Sequence, residues 1–307
     1  MSSLLAFPGQ GAQQPGMLHS LPEQAQVRAC LREASDALGE DVLQLDSAEA
    51  LGATRAVQLC LLIAGVACAR LLPRPDYVAG LSIGAYPAAV IAGVLTFEDA
   101  LRLVALRGEL MQQAYPEGYG MTAIVGLSLA TVEQLLAHVH SPQQPVYLAN
   151  INAEQQVVIA GSHSAMAAVA QRAKALGAGL ARRLAVSVPS HCELLAAPAA
   201  RLAEAFAGVT LQAPRVRYLS GTRARPLQQI EQLRDDLAYN MCRVVDWRGV
   251  VENAYERGIR LHIELPPGSV LTPLAKKVLL DGTCVAFQGA RLDTLKALME
   301  EEGRRIQ

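Results

Sequence analysis

The segment Tyr77-Val78-Ala79-Gly80-Leu81-Ser82-Ile83-Gly84 limits the possible folds of this chain more than any other. A short apolar run breaks at a glycine, a serine follows two residues later, and a second glycine opens the helical pattern Ala85 to Ala92. Gly80-Leu81-Ser82-Ile83-Gly84 matches G-x-S-x-G, a sharp strand-to-helix turn that leaves a serine hydroxyl exposed above a buried sheet. Side chains at the flanking positions would collide with neighbouring elements, and the helix start leaves the Ile83 N–H free to face a developing negative charge. The same string also fits a tight turn in which Ser82 only caps the helix. Either reading feeds a strand into a helix, the unit of a parallel α/β sheet.

The remaining pattern extends that unit. Leu4 to Phe7 reads as a buried strand, followed by the glycine-rich loop Pro8-Gly9-Gln10-Gly11-Ala12-Gln13. Helical periodicity covers Pro22 to Leu38, Thr54 to Leu72 and Phe97 to Tyr115, and the second of these is so apolar that burial is expected. From Met121 the elements shorten: strand to Leu127, helix Thr131 to Val139, hairpin Val146 to Ile151 with Gln156 to Ala160, helix Ser164 to Leu176, strand Leu180 to Val186. This β-α-β-β-α-β order predicts a self-contained, ferredoxin-like small domain at 122–188. The α/β pattern resumes with a helix from His191 to Phe206, strands at Val216 to Leu219, Leu261 to Glu264 and Cys284 to Phe287, and intervening helices. The expected fold is therefore α/β: a large, α/β-hydrolase-like parallel-sheet domain from 1–121 and 189–307, interrupted by the small one. Ala, Leu and Val dominate the apolar residues and aromatics make up only 4%, which suits helices packed closely on a buried sheet.

Charge and hydropathy exclude two partner classes. A formal net charge of −1 with no Lys/Arg run gives no footprint for nucleic acid. No apolar run approaches the roughly 18 residues that a membrane span needs, and Ser3 to Phe7 is too short for a secretory h-region, so a cytoplasmic protein is expected. Cys30, Cys60, Cys68, Cys192, Cys242 and Cys284 form no metal-ligand spacing and read as small core residues in a reducing compartment. No metal site is expected. Cys192 adjoins His191 and could be mistaken for a nucleophile.

If Ser82 is a nucleophile, it needs a base within hydrogen-bond reach. His19, His138, His140 and His163 lie in polar surroundings that suit surface residues, and His262 falls inside a strand as a core or edge residue. His191 follows Val188-Pro189-Ser190 where the chain re-enters the large domain, and is the candidate base. Arg107, taken alone, reads as a helix-surface arginine near Asp99 or Glu109.

Four stretches together resemble the malonyl-CoA:acyl-carrier-protein transacylase family: Phe7 to Gln13, Gly80 to Gly84, Leu106-Arg107-Gly108 with Met111-Gln112, and Val186 to His191. They occur in the family's order across nearly the whole chain. The resemblance implies that Ser82 is the acylated nucleophile and His191 the general acid/base. It further implies that the backbone N–H groups of Gln10 and Ile83 form the oxyanion hole, and that Arg107 binds the free carboxylate of a malonyl group. Asn240 falls where the family has a residue whose backbone carbonyl orients the histidine. Malonyl-CoA and an acyl carrier protein with a pantetheine-type prosthetic group are the implied substrates, with no bound cofactor.

Two positions depart from the family pattern. Leu81 stands where a histidine usually precedes the nucleophile, and Ala85 where an acidic residue usually follows the second glycine, so a more apolar pocket is expected. These residues, with the opening stretch Phe7 to Gln13 and the hairpin Ala149-Asn150-Ile151-Asn152, resemble the transacylase (epsilon) subunit of bacterial malonate decarboxylase, which would bring other subunits of that assembly as partners. The alternatives are a transacylase of fatty-acid or polyketide synthesis, a serine thioesterase or hydrolase, and a non-catalytic assembly subunit. Arg182, Arg183, Lys276 and Lys277 are candidates for meeting an acidic carrier, and each also reads as an ordinary solvated charge.

Overall fold

A computed structural model describes residues 2–115 and 117–304; the expected domain limits at 1 and 307 lie outside the described residues. The chain opens with β1 (Ser2–Phe7), α1 (Ala25–Leu38) and α2 (Thr54–Ala69), then β2 (Tyr77–Gly80), α3 (Ala85–Ala92) and α4 (Phe97–Ala114). A second group follows: β3 (Tyr119–Val125), α5 (Leu129–Val139), β4 (Val146–Ala153), β5 (Gln156–Ser162), α6 (His163–Ala175) and β6 (Leu180–Arg183). The last stretch holds α7 (Ala196–Phe206), β7 (Arg217–Ser220), β8 (Arg225–Leu227), α8 (Ile230–Tyr239), β9 (Val245–Asp246) and α9 (Trp247–Glu256). It ends with β10 (Ile259–Glu264), α10 (Leu271–Ala275), β11 (Thr283–Ala286) and α11 (Leu292–Arg304).

The large sheet has the order β11-β10-β1-β2-β7-β8 and is parallel except for the edge strand β8. Its central strands are buried on both faces, as their continuous apolar sequence requires. The chain leaves β1 toward β2 on one side and later returns to β10 on the other. Ligands of open α/β sheets bind beyond the carboxyl ends of strands at such a reversal. The loops after β1 and β2 both lie there, and they carry Gln10 and Ser82. Helix α2 is apolar except for Thr54, Arg55 and Gln58, is buried at every position but Arg55, and packs against α4.

The small sheet has the order β6-β3-β5-β4-β9. Period-two alternation sends Ile124, Val157 and Ile159 toward α5 and α6, while Met121, Val158 and Ala160 face the opposite way, together with Val186 and Cys192. Three expectations change. The small sheet is not self-contained, because β9 from the C-terminal stretch pairs in parallel with β4, and β3 starts at Tyr119, before the expected boundary at 122. The strand expected from Leu180 to Val186 stops at Arg183. The helix expected from His191 starts at Ala196, after a 3-10 turn over Glu193–Leu195, and His191 itself, at φ 63°, lies outside the right-handed helical region.

Candidate active site

Ser82 sits at the turn between β2 and α3 with φ 56°, a strained value for a residue with a side chain. The flanking glycines hold it there. A Cβ on Gly80 would lie 1.9 Å from the Gly84 carbonyl carbon, and one on Gly84 2.2 Å from the Phe7 carbonyl oxygen. The turn carrying Ser82 is thus wedged against its own strand and against the end of β1.

His191 reaches the serine across a sequence separation of 109 residues. Its Nε2 lies 2.7 Å from Ser82 Oγ, while Nδ1 lies 2.9 Å from the carbonyl oxygen of Asn240 and 3.2 Å from that of Arg243. Carbonyl oxygens only accept, so Nδ1 carries the proton and donates it to them; Nε2 then accepts from the Ser82 hydroxyl. The backbone N–H of His191 donates to the Met241 carbonyl at 2.7 Å. Burial pushes the imidazole down to about 4, and the nearby Arg107 cation adds to that shift. The ring is therefore neutral and able to take a proton at neutral pH. Cys192 is no competitor: its Sγ–H donates to the Pro189 carbonyl, and burial pushes the thiol up to about 12.

Arg107 does not lie on a helix surface. It is fully buried, and the acids beside it in sequence are engaged elsewhere, Glu109 with Arg55 and Asp99 with Thr96. Its guanidinium donates to Gln58 Oε1 at 2.7 Å, to Ser82 Oγ at 3.3 Å and to Asn240 Oδ1 at 3.4 Å, and stands 5.9 Å from the centre of the Tyr86 ring. No carboxylate pairs with it among the described residues, and burial pushes it down to about 10. Two buried donors in this cluster, Arg107 Nε and Asn240 Nδ2, have no acceptor within the protein. A cation held out of water without an anion is costly, and a planar carboxylate satisfies it best.

Gln58 was hidden to sequence reasoning. The signal was a lone glutamine inside the apolar run of α2, a polar group that has to find a buried partner. The Leu106-Arg107-Gly108 stretch gains a packing reason too: a Cβ on Gly108 would lie 2.5 Å from Arg55 Cα, so the glycine lets α4 close on α2. Gln112 completes that contact by accepting the Thr54 N–H at 2.8 Å.

A cavity of about 560 Å³ opens above Ser82 and His191, between the loops after β1 and β2 and the small sheet. Gln10, Leu81, Asn150, Asn152, Arg182 and Arg183 are among its lining residues, whereas Lys276 and Lys277 are not. Ile83 is wholly buried beneath the serine. Among the described residues no cluster of His, Cys, Asp and Glu could hold a metal, and no helix is long and apolar enough to cross a membrane.

Residues 5–290 match the acyl transferase domain. The chain belongs to that family. This acyltransferase is 38% identical over 288 residues to the malonyl CoA-acyl carrier protein transacylase of Haemophilus influenzae, covering 90% of this chain and 92% of the relative. The structure of the corresponding transacylase from Coxiella burnetii superposes with a TM-score of 0.92 at 34% identity, covering 98% of this chain and 97% of that one. A malonyl-transacylase in complex with a type II PKS acyl-carrier protein matches with a TM-score of 0.91 at 36% identity, covering 98% of this chain and all of the other. The acyltransferase is thus of the malonyl CoA-acyl carrier protein transacylase type.

Proposed function

We propose that the protein moves a malonyl group from malonyl-CoA to the prosthetic-group thiol of an acyl carrier protein through an ester on Ser82. One observation carries this reading: a buried guanidinium without a carboxylate partner lies 3.3 Å from the hydroxyl of a histidine-linked serine. An acyl group esterified there with a carboxylate at its far end supplies the missing charge.

In the first half-reaction Ser82 Oγ attacks the thioester carbonyl and its proton passes to His191 Nε2. The oxyanion is held by the backbone N–H groups of Gln10 and Ile83. The C–S bond then breaks and the imidazolium returns its proton to the departing CoA thiolate. The carrier thiol reverses these steps, which makes the exchange ping-pong and requires no external oxidant or reductant. The carbonyls of Asn240 and Arg243 take the place that a carboxylate fills in a Ser-His-Asp triad, fixing the tautomer and stabilising the imidazolium.

The carrier is the finer question. Leu81 and Ala85 beside the nucleophile, and the hairpin stretch Ala149 to Asn152, support a carrier of malonate decarboxylase bearing a phosphoribosyl-dephospho-CoA-type group, with other subunits of that assembly as partners. The names of the matched relatives support an ordinary acyl carrier protein of fatty-acid or polyketide synthesis. A CoA thioester substrate and six unpaired cysteines suit the cytoplasm. Offering the malonylated protein each kind of carrier, while measuring free malonate, separates the readings. Transfer to the malonate decarboxylase carrier is expected. Transfer only to the ordinary carrier removes the decarboxylase assignment, and malonate release without transfer makes the protein a hydrolase.

A further inference from the structure

Asp236 is a fully buried carboxylate in α8 that no step of the transfer uses. Its Oδ2 accepts the Tyr218 hydroxyl at 3.0 Å, and its Oδ1 accepts the Ser220 and Thr222 hydroxyls at 2.6 Å each. Tyr218 and Ser220 belong to β7, the strand paired directly with β2, and Thr222 follows in the next turn. Burying a carboxylate among neutral hydroxyls costs far more than filling the same space with an apolar side chain. In return, three hydrogen bonds pin α8 to β7 and to the turn that follows it.

That helix leads straight to the histidine. Asn240 follows Asp236 by four residues, about one helical turn, and its carbonyl accepts His191 Nδ1–H at 2.9 Å. The Met241 carbonyl accepts the His191 backbone N–H, and the Arg243 carbonyl lies 3.2 Å from Nδ1. Beside Asp236, the Leu237 carbonyl accepts the Tyr86 hydroxyl at 3.0 Å, and Tyr86 stands in α3 just beyond the nucleophile turn. The strand next to the serine's own strand is therefore tied, through Asp236, to the helix whose end holds the imidazole.

We infer that Asp236 is a positioning residue for acyl transfer: it locks α8 against β7 so that the carbonyls of Asn240 and Arg243 keep His191 protonated on Nδ1 with Nε2 turned to Ser82. The inference rests on the reading of His191 as the proton carrier. Asp236→Ala removes all three bonds. Asp236→Asn keeps the acceptor oxygen for two hydroxyls but turns an NH₂ toward the third, and Tyr218→Phe removes one bond while leaving the carboxylate in place.

The test uses the full chain and three readouts: single-turnover malonylation of Ser82, KM for malonyl-CoA, and the ring-nitrogen NMR signals of His191 without substrate. Asp236→Ala is expected to slow malonylation roughly tenfold or more, because small misplacements of a reacting group cost that much. KM should change less than the malonylation rate, since Arg107 keeps its 2.7 Å bond to Gln58 and only its longer contact with Asn240 is disturbed. The ring of that variant should show a mixture of tautomers where the unaltered protein shows Nδ1–H alone, with Asp236→Asn and Tyr218→Phe in between. A folded Asp236→Ala protein with a lowered Tm but unchanged rate and tautomer would reduce Asp236 to a structural role and overturn the inference. If Asp236→Ala does not fold, the two milder variants decide on the same criteria. Failure of the unaltered protein to take malonyl would sink the proposed function, while the tautomer, read without substrate, still decides the role of Asp236.

Discussion

His191 and His262 are both buried, and burial pushes both imidazoles down to about 4. Their surroundings differ completely. Both ring nitrogens of His191 are engaged, one by two carbonyls and one by a serine hydroxyl, at the carboxyl ends of the central strands. His262 lies within β10, in register with Leu4 and Cys284, and neither of its ring nitrogens has a hydrogen-bond partner. A perturbed histidine is therefore not enough to mark a site. What the nitrogens touch separates the two rings, and so does the backbone, since His191 and Ser82 are two of the three non-glycine residues with positive φ among those described.

The largest expected effect tests that contrast directly. His191→Ala should lower malonyl transfer by about 10⁴-fold or more, whereas His262→Leu should leave kcat within about threefold. Transfer assays on the two purified variants check this, and comparable losses in both would show that the contacts of the ring nitrogens do not set the two histidines apart.

The next effect concerns the cation behind the serine. Arg107→Ala should cost malonyl transfer about 100-fold more than acetyl transfer, because only malonyl carries the second carboxylate. The same variant removes one cause of the lowered His191 titration, so the acid limb of its kcat/KM profile should move to higher pH. Equal losses with both acyl groups, or an unmoved limb, would count against the clamp.

Gln58→Leu should be milder. The guanidinium loses the acceptor at 2.7 Å but keeps its charge, so KM for malonyl-CoA should rise about tenfold, the usual worth of a hydrogen bond to a charged group, with little change in kcat. Steady-state kinetics check it; a fall in kcat alone would place Gln58 in the chemistry instead of the clamp.

The smallest effect is on stability against pH. For a base whose folded pKa is lowered, the unfolded chain binds the extra proton, so the stabilisation is present above the unfolded value near 6.5 and is lost as pH falls toward about 4. His262→Leu removes one of the two buried imidazoles, so its urea midpoint should decline less between pH 6.5 and 4 than that of the unaltered protein. An unchanged decline would show that His262 does not contribute.

How far the sequence disclosed this site follows from the range of the interactions. Gly80 to Gly84 was legible because a local turn has local demands, and the large parallel sheet followed from the strands and helices around it. Asn240 was legible as a backbone acceptor only through the family resemblance, and its side-chain contact with Arg107 was not legible at all, because the two residues meet only after folding. The burial of Arg107 was hidden for the same reason: nothing in Leu106-Arg107-Gly108 shows which face of α4 meets α2. Strands β8 and β9 escaped notice because three and two residues carry no periodicity, and the pairing of β9 with β4 depends on where the small sheet comes to rest.

In the proposed function, serine, imidazole and guanidinium converge on one acyl group bearing a carboxylate. Peptide mass spectrometry after brief exposure to equimolar malonyl-CoA and acetyl-CoA tests it most directly. The predicted result is a malonyl ester on Ser82, absent from Ser82→Ala, with acetyl a minor product until Arg107 is replaced by alanine. Label on another residue, or acetyl loading Ser82 as readily as malonyl in the unaltered protein, would contradict it.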